Sequence, residues 1–265
     1  MIRKIGINSG CWGRLELDEE FTLMKKNGFE AFFTGSENGR LEGYMEKAKE
    51  YGIACDNYHA PFDKINDIWK EGEIGDNMLG RLIDCVDKCA KYGVPSMVVH
   101  LSSGTKPPRI NDLGLDRFEK LMNAADEKGV TVCYENQRML GNIGQAFEIF
   151  PTAKFCWDTG HEQCFTSGRR YMDLFGKLLN QLHIHDNHAV FDGDEHMIPG
   201  DAVLDIGRVA SSIAKTGFDG TIMLEVIRRN SHYYDDYSAE DYYSHAAEAA
   251  VRIRDAVDRM DRFLF

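Results

Sequence analysis

The sequence predicts a single (β/α)8 TIM barrel spanning residues 1–265. Three observations lead there. Short apolar runs alternate with longer amphipathic segments eight times, with no long linker or low-complexity stretch between them. Many of the helical segments end in glycine, at Asn27-Gly28, Tyr51-Gly52, Tyr92-Gly93, Lys128-Gly129 and Thr216-Gly217, where a left-handed cap is wanted. No Gly-x-Gly-x-x-Gly follows the first apolar run, which removes the mark of the competing open, doubly wound sheet.

In chain order, strands are expected at 2–7, 29–34, 53–58, 95–100, 130–135, 154–158, 180–185 and 220–226. Helices are expected between them at 18–27, 40–51, 75–92, 112–128, 142–149, 169–179, 205–216 and 238–262. The stretch Lys154-Phe155-Cys156-Trp157-Asp158-Thr159-Gly160-His161 shows the pattern most clearly. Its apolar residues, bounded by turn chemistry, read as a buried strand that stops at Asp158, with His161 in the loop beyond. An Asp and a His so placed can face one point and suit a cation. The alternative is that Asp158 caps the next helix and His161 packs beside it.

Composition narrows the function. Forty-three acidic against 31 basic residues give a net charge of -12, which argues against a broad nucleic-acid-binding face. No apolar run approaches the roughly 18–20 residues of a membrane span. The first residues, Met1 to Asn8, enter a strand-like run and lack the apolar core of a signal peptide. Seven cysteines, an odd number without a Cys-x-x-Cys, point to a reducing compartment, and Cys85 and Cys89 read as small buried hydrophobes on one helix. A cytoplasmic protein is expected.

In a barrel of this kind the chemistry lies where strands end and βα loops begin. The third strand runs into Tyr58-His59-Ala60-Pro61, the fourth ends at His100, the fifth at Glu135 and the sixth at Asp158. The seventh gives His183-Ile184-His185-Asp186 and the eighth ends at Glu225. Six ionisable groups converging on one mouth are expensive to bury unless they share a cation or a substrate. His183 and His185, two apart, point the same way one layer above the other, so either is a candidate ligand. The loop after the seventh strand adds Asp194 and His196, able to hold a second cation or substrate hydroxyls, whereas its Asp192 and Glu195 read as solvated acids.

These residues resemble the xylose isomerase-like TIM-barrel superfamily, which takes in sugar isomerases, ketose 3-epimerases, inositol-catabolism enzymes and endonuclease IV. The matching pieces are His59-Ala60-Pro61, Val99-His100, Tyr134-Glu135-Asn136, Asp158-Thr159-Gly160-His161, His183-Ile184-His185-Asp186, Asp194-Glu195-His196, Pro199-Gly200 and Leu224-Glu225. By that resemblance Glu135, Asp158, His183 and Glu225 match the metal-binding quartet, with His183 favoured over His185. Glu135 and Glu225 match the epimerases' acid/base pair, and His161 a substrate-binding histidine. In endonuclease IV, residues at the positions of His59, His100, His161, Asp194 and His196 complete a three-zinc cluster. The resemblance implies one divalent cation (Mn, Zn, Co or Mg), with ligand candidates for up to three. The chain departs from the ketose 3-epimerases in having no Arg or Lys from Asn187 to Pro199, and from endonuclease IV in its acidity.

The function expected is therefore a metal-dependent isomerase or epimerase of a sugar, sugar phosphate or cyclitol. Glu135 and Glu225 would exchange a proton with the substrate through an enediolate. An endonuclease IV-like phosphodiesterase is the alternative, and an inosose dehydratase-like lyase a further one. The expected partner is a small carbohydrate, without nucleic acid or membrane. The apolar end, Met260 to Phe265, suggests packing under the barrel or a homodimer. Trp12, after the first strand, and Trp69, in the insertion Asp63 to Gly75, are expected to stack on the sugar. Arg228 is expected to hold an anionic group, with Lys106, Arg109 and Arg229 as surface charge and Phe33 as core packing.

Overall fold

Each amphipathic segment needs an apolar partner for its buried stripe, and the eight apolar runs supply one as a continuous ring. The protein is described by a computed structural model over residues 2–36, 39–166 and 169–264. The strands are β1 (Ile5–Asn8), β2 (Ala31–Gly35), β3 (Ala54–His59), β4 (Ser96–Val99), β5 (Thr131–Glu135), β6 (Lys154–Asp158), β7 (Leu179–His183) and β8 (Ile222–Leu224). They pair in parallel in the order β7-β6-β5-β4-β3-β2-β1-β8. A parallel bridge between Ile184 and Leu224 joins the two ends, so the barrel is nearly closed. The helices are α1 (Leu17–Lys26), α2 (Leu41–Tyr51), α3 (Glu73–Tyr92), α4 (Asp112–Lys128), α5 (Leu140–Ile149), α6 (Thr159–Phe165), α7 (Tyr171–Phe175), α8 (Ile206–Ala214) and α9 (Ala239–Leu264).

The period-two alternation of each strand decides what fills the ring. At its lower end Asn57 Nδ2 of β3 donates to Gln181 Oε1 of β7 at 3.0 Å, and Gln181 Nε2 donates to Ser96 Oγ of β4 at 3.2 Å. Two residues higher on β4, Val98 packs with Cys133 and Cys156 in a small apolar cluster separate from the main core. Two higher again come His100, Glu135 and Asp158, all buried. The large core lies outside the ring, between strands and helices. Gly6 on β1 leaves room for a long neighbour: a Cβ there would meet Met223 Cε of β8 at 2.6 Å.

Local chemistry explains where elements end. Gly93 and Gly129, at φ 70° and 67°, close α3 and α4 in the left-handed conformation expected of them. Asn111 Oδ1 caps α4 by accepting from Gly114 N at 2.8 Å. The sixth connection differs from the expected helix at 169–179. A helix begins at once with Thr159, because Asp158 Oδ1 accepts from His161 N at 2.6 Å, and a second short helix follows at Tyr171–Phe175. β7 stops at His183, where its ladder with β6 ends at the Asp158–His183 pair. The side chains of the apolar end Phe263-Leu264-Phe265, part of the expected subunit contact, lie outside the described residues. No helix among the described residues is long and apolar enough to cross a membrane, and all seven cysteines are free and buried.

The loop from β7 to α8 is held by one carboxylate. Asp186, fully buried, accepts from the backbone N–H of Asn187, Gly200, Ala202, Val203 and Leu204 at 2.8 to 3.1 Å. Its own backbone exchanges two hydrogen bonds with Met197. This brace fixes the segment carrying Asp194 and His196, and His196 sits at φ 50°, a left-handed value that a histidine adopts only under constraint.

Candidate active site and metal centre

The strand ends open into a cavity of about 750 Å³. Its lining includes Asn8, Phe33, His59, Phe62, His100, Glu135, Gln137, His161, Phe165, Asp194, His196 and Glu225. Glu135 is the hub. Its Oε2 lies 3.4 Å from His59 Nε2 and is hydrogen-bonded to His100 Nε2, while its Oε1 lies 2.7 Å from His183 Nδ1. Glu225 Oε2 lies 3.4 Å from the same His183 nitrogen. Asp158 joins these three, with one ligand atom from each of Glu135, Asp158, His183 and Glu225 within 4.8 Å of one another. Phe33 stacks on the His183 ring, centroids 4.4 Å apart, so it packs and lines the cavity at once.

A second cluster sits one layer higher. His185 Nε2 lies 3.1 Å from Asp158 Oδ1, and Asp194 Oδ2 is 3.3 Å from His161 Nε2 and 3.2 Å from His196 Nε2. The rings of His185 and His196 stack with centroids 3.9 Å apart. His161, His185, Asp194 and His196 again bring ligand atoms within 4.8 Å, as do His59, His100 and Glu135. The two-residue spacing of the β7 histidines therefore sends them to different clusters: His183 to the glutamates, His185 to Asp194.

Charge explains why these groups tolerate burial. Burial pushes His59, His100, His161, His183 and His196 toward the neutral form, and facing carboxylates override it for all but His100. His59 is pushed up to about 9 by Glu135, and His196 to about 9 by Asp194. His161 and His183 are raised by Asp158 and Asp194, and by Glu225 and Glu135, respectively. For His100 burial prevails and its pKa falls. Burial would raise the carboxyls, yet the imidazoles hold Glu135 well below the usual range and lower Asp158 and Asp194.

The donor set fits a divalent cation. Three carboxylates and an imidazole form the lower set, three imidazoles and a carboxylate the upper, which suits zinc, manganese or cobalt. The gaps of 2.7 and 3.4 Å from His183 Nδ1 to the two glutamates bracket the roughly 3.0–3.4 Å spacing of ligand atoms about 2.1 Å from a shared ion. Asp194 Oδ1, His183 Nε2 and His185 Nδ1 are buried without a hydrogen-bond partner among the described residues, a cost that bound ions and their ligands' partners would relieve.

Of the residues expected here, Glu135, Asp158, His183, Glu225, His59, His100, His161, His185, Asp194 and His196 are brought together. Three are not. Trp69 is 4% exposed, its Nε1 donates to the Leu101 carbonyl at 2.8 Å and its ring packs on Phe118, so it is core beneath the insertion. Trp12 turns away from the cavity to pack on Tyr242 and under Arg228. Arg228 is held by the Tyr234 and Asp235 carbonyls and the Asp235 carboxylate, and it is Arg229 that reaches the cavity. Asp192 and Glu195 are paired rather than simply solvated, with Arg138 and His188.

Sequence reasoning missed Gln137, whose Nε2 lies 3.2 Å from His100 Nε2 and 3.0 Å from His161 Nδ1, although it follows the Glu135-Asn136 piece directly. It also missed Arg14, Arg40 and Arg138 on the cavity wall, which no motif marks.

Solved structures agree with this architecture. The solved structure of 3-keto-D-glucoside 4-epimerase from E. coli superposes with a TM-score of 0.73 at 18% identity, covering 96% of this chain and 99% of that one. D-psicose 3-epimerase from Clostridium cellulolyticum H10 gives 0.78 at 13% identity, with 96% and 99% covered. An uncharacterised protein, y4fM, of Sinorhizobium fredii is 25% identical over 190 residues, which is 65% of this chain; the chain spans 58% of that relative's length. A sequence profile described as xylose isomerase-like TIM barrel matches residues 21–256, and the chain belongs to that family.

Proposed function

We propose that the protein is a divalent-metal-dependent isomerase or epimerase of a sugar, sugar phosphate or cyclitol. The observation that carries this reading is the convergence of Glu135 and Glu225 on His183 Nδ1, from strands β5 and β8, at the floor of an open cavity. Sugar epimerases among the structural neighbours support it. Held by Glu135, Asp158, His183 and Glu225, a divalent cation would polarise the substrate carbonyl and stabilise negative charge developing on its oxygens.

The chain's own groups then handle the proton. Glu225, with 15% of its side chain exposed against 1% for Glu135, presents its carboxylate to the cavity and removes the proton on carbon. Glu135 Oε2, hydrogen-bonded to His100 Nε2, serves the opposite face, where His59, raised to about 9, supplies the proton that the depressed pKa of Glu135 does not retain. Gln137, joined to His100 and His161, orients both rings toward the substrate. Phe33, Phe62 and Phe165 on the cavity wall offer apolar faces to the sugar and displace water.

A second reading, phosphodiester cleavage over three zinc ions, is favoured by one observation: three ligand clusters adjoin, two of them sharing Glu135. Metal stoichiometry separates the two. Protein purified without chelator is expected to carry about one ion per chain, to lose activity on chelation, and to incorporate deuterium from D₂O into a ketose or cyclitol. Glu225→Gln should lower that exchange by roughly 10²- to 10⁴-fold with the fold intact. Three zincs per chain with cleavage of an abasic-site DNA would replace this reading with the second. No ion bound or taken up, or near-normal exchange in Glu225→Gln, would overturn it.

A further inference from the structure

We propose that the rim formed by the loops after β8, β1 and β2 is an oxyanion subsite, which makes the substrate a sugar bearing a terminal phosphate or carboxylate. The inference rests on the sugar isomerase reading above and narrows its substrate class. Three arginines line the cavity on this arc: Arg14 between β1 and α1, Arg40 immediately before α2, and Arg229 in the short turn after β8. Their strands are neighbours, since β8 pairs with β1 and β1 with β2. The arginines therefore share one arc of the mouth, whereas His59, His100, His161 and Asp194 come from the remaining strands and loops.

These guanidinium groups differ from those of two other arginines near the mouth. Arg138, on the far wall, is bound by Asp192, and Arg228 by Asp235. Arg14, Arg40 and Arg229 have no ion pair with a carboxylate among the described residues, in a chain with 43 acidic side chains. Among the described residues Arg40 donates to the Leu15 carbonyl, at 2.9 Å, and its guanidinium carbon lies 5.6 Å from the centroid of the Tyr44 ring, which limits its sway. Glu20, behind it, is already engaged by Gly10 N and the Tyr44 hydroxyl. Ser36, on the same arc, has a buried hydroxyl with no hydrogen-bond partner among the described residues.

Arginine's planar fork matches the oxygens of a phosphate or carboxylate, and these forks, facing the cavity, are ion-paired to no carboxylate among the described residues. The carboxylates of the cavity, Glu135, Asp194 and Glu225, are all engaged by histidines. The cavity is thus divided into a carboxylate and imidazole floor for the reacting carbons and a cationic rim for an anionic end. The loop after β7, which lacks Arg and Lys, leaves this role to the adjoining arc of β8, β1 and β2.

The test uses a panel of ketohexoses, their 6-phosphates and the matching ketouronates, with binding read by calorimetry and proton exchange by deuterium uptake. The comparison protein is the Arg14→Gln/Arg229→Gln double variant, whose altered side chains are both exposed. An anionic member is expected to bind at least about tenfold more tightly than its neutral partner, and the double variant to erase the difference. Whichever of phosphate or uronate binds better identifies the group. Equal binding of neutral and anionic members, an undiminished preference in the double variant, or no binding by any member overturns the subsite. Deuterium exchange into neutral sugars alone leaves the isomerase reading standing without it. Arginine-dependent binding with no exchange into any member leaves the subsite standing and overturns the isomerase reading.

Discussion

Replacing Asp186 by asparagine tests how much of this site depends on a residue that never touches the cavity. The two carboxylate oxygens share five backbone donors: Oδ1 takes Asn187, Val203 and Leu204, and Oδ2 takes Gly200 and Ala202. An asparagine keeps one acceptor and turns an NH₂ toward the other donors, so at least two bonds to a charged acceptor disappear. At about 1.5–3 kcal/mol each, the loss is about 3–6 kcal/mol, and relaxation of the loop favours the lower end. About 3 kcal/mol is a large share of the roughly 5–15 kcal/mol that holds a typical domain together, and it corresponds to a fall in melting temperature of roughly 6–12 °C. Thermal and urea unfolding of Asp186→Asn read the loss directly. Metal content reads its consequence, since Asp194 and His196 ride on the braced segment. A variant that melts within about 2 °C of the parent with full metal content would refute the argument that this carboxylate organises the loop.

Two further outcomes follow from other parts of the molecule. A Cβ on Gly160 would fall inside the His185 ring, which cannot retreat because His196 is stacked 3.9 Å behind it; Gly160→Ala is expected to reduce turnover at least about tenfold through loss of the upper cluster, and parental activity would contradict the packing described. His245 Nε2 lies 2.9 and 3.0 Å from the two Asp201 oxygens, and that hydrogen bond, partly opposed by burial, raises the histidine above its ordinary value. A raised folded pKa stabilises below the unfolded value of about 6.5 and is lost as pH rises through the folded value. His245→Gln should therefore destabilise more at pH 6 than at pH 9, on the order of 1 kcal/mol at most for a partly exposed pair; equal losses at both pH values would show that the ion pair contributes nothing.

The barrel was legible because its signals are local. Alternating apolar runs, closing glycines and ionisable residues at successive strand ends are properties of short windows, and β6 runs over the expected Lys154–Asp158. Ten of the thirteen residues singled out for the site meet in three adjoining clusters, since period-two geometry sends strand-end side chains to one mouth. Asp158 needed no choice between its two readings: one oxygen caps α6 while the carboxylate also faces His185 and the lower cluster.

What the sequence could not decide depends on register and on how loops return. His183 and His185 are equivalent in spacing; only the pairing of His183 with Asp158, and the bridge from Ile184 to Leu224, place one beside the glutamates and the other beside Asp194. Trp69 has the composition of a sugar platform, but its insertion folds back so that Leu101 takes its indole N–H. Arg228 and Arg229 are adjacent in sequence and face opposite surroundings, one tied to Asp235 and the other open to the cavity. A side chain's strand period follows from its own neighbours in sequence, whereas its partner across the barrel mouth is set by chain segments tens to hundreds of residues away. The architecture and the inventory of ionisable groups were therefore written locally, and the division of the mouth into a carboxylate and imidazole floor and an arginine rim came only from the closed ring.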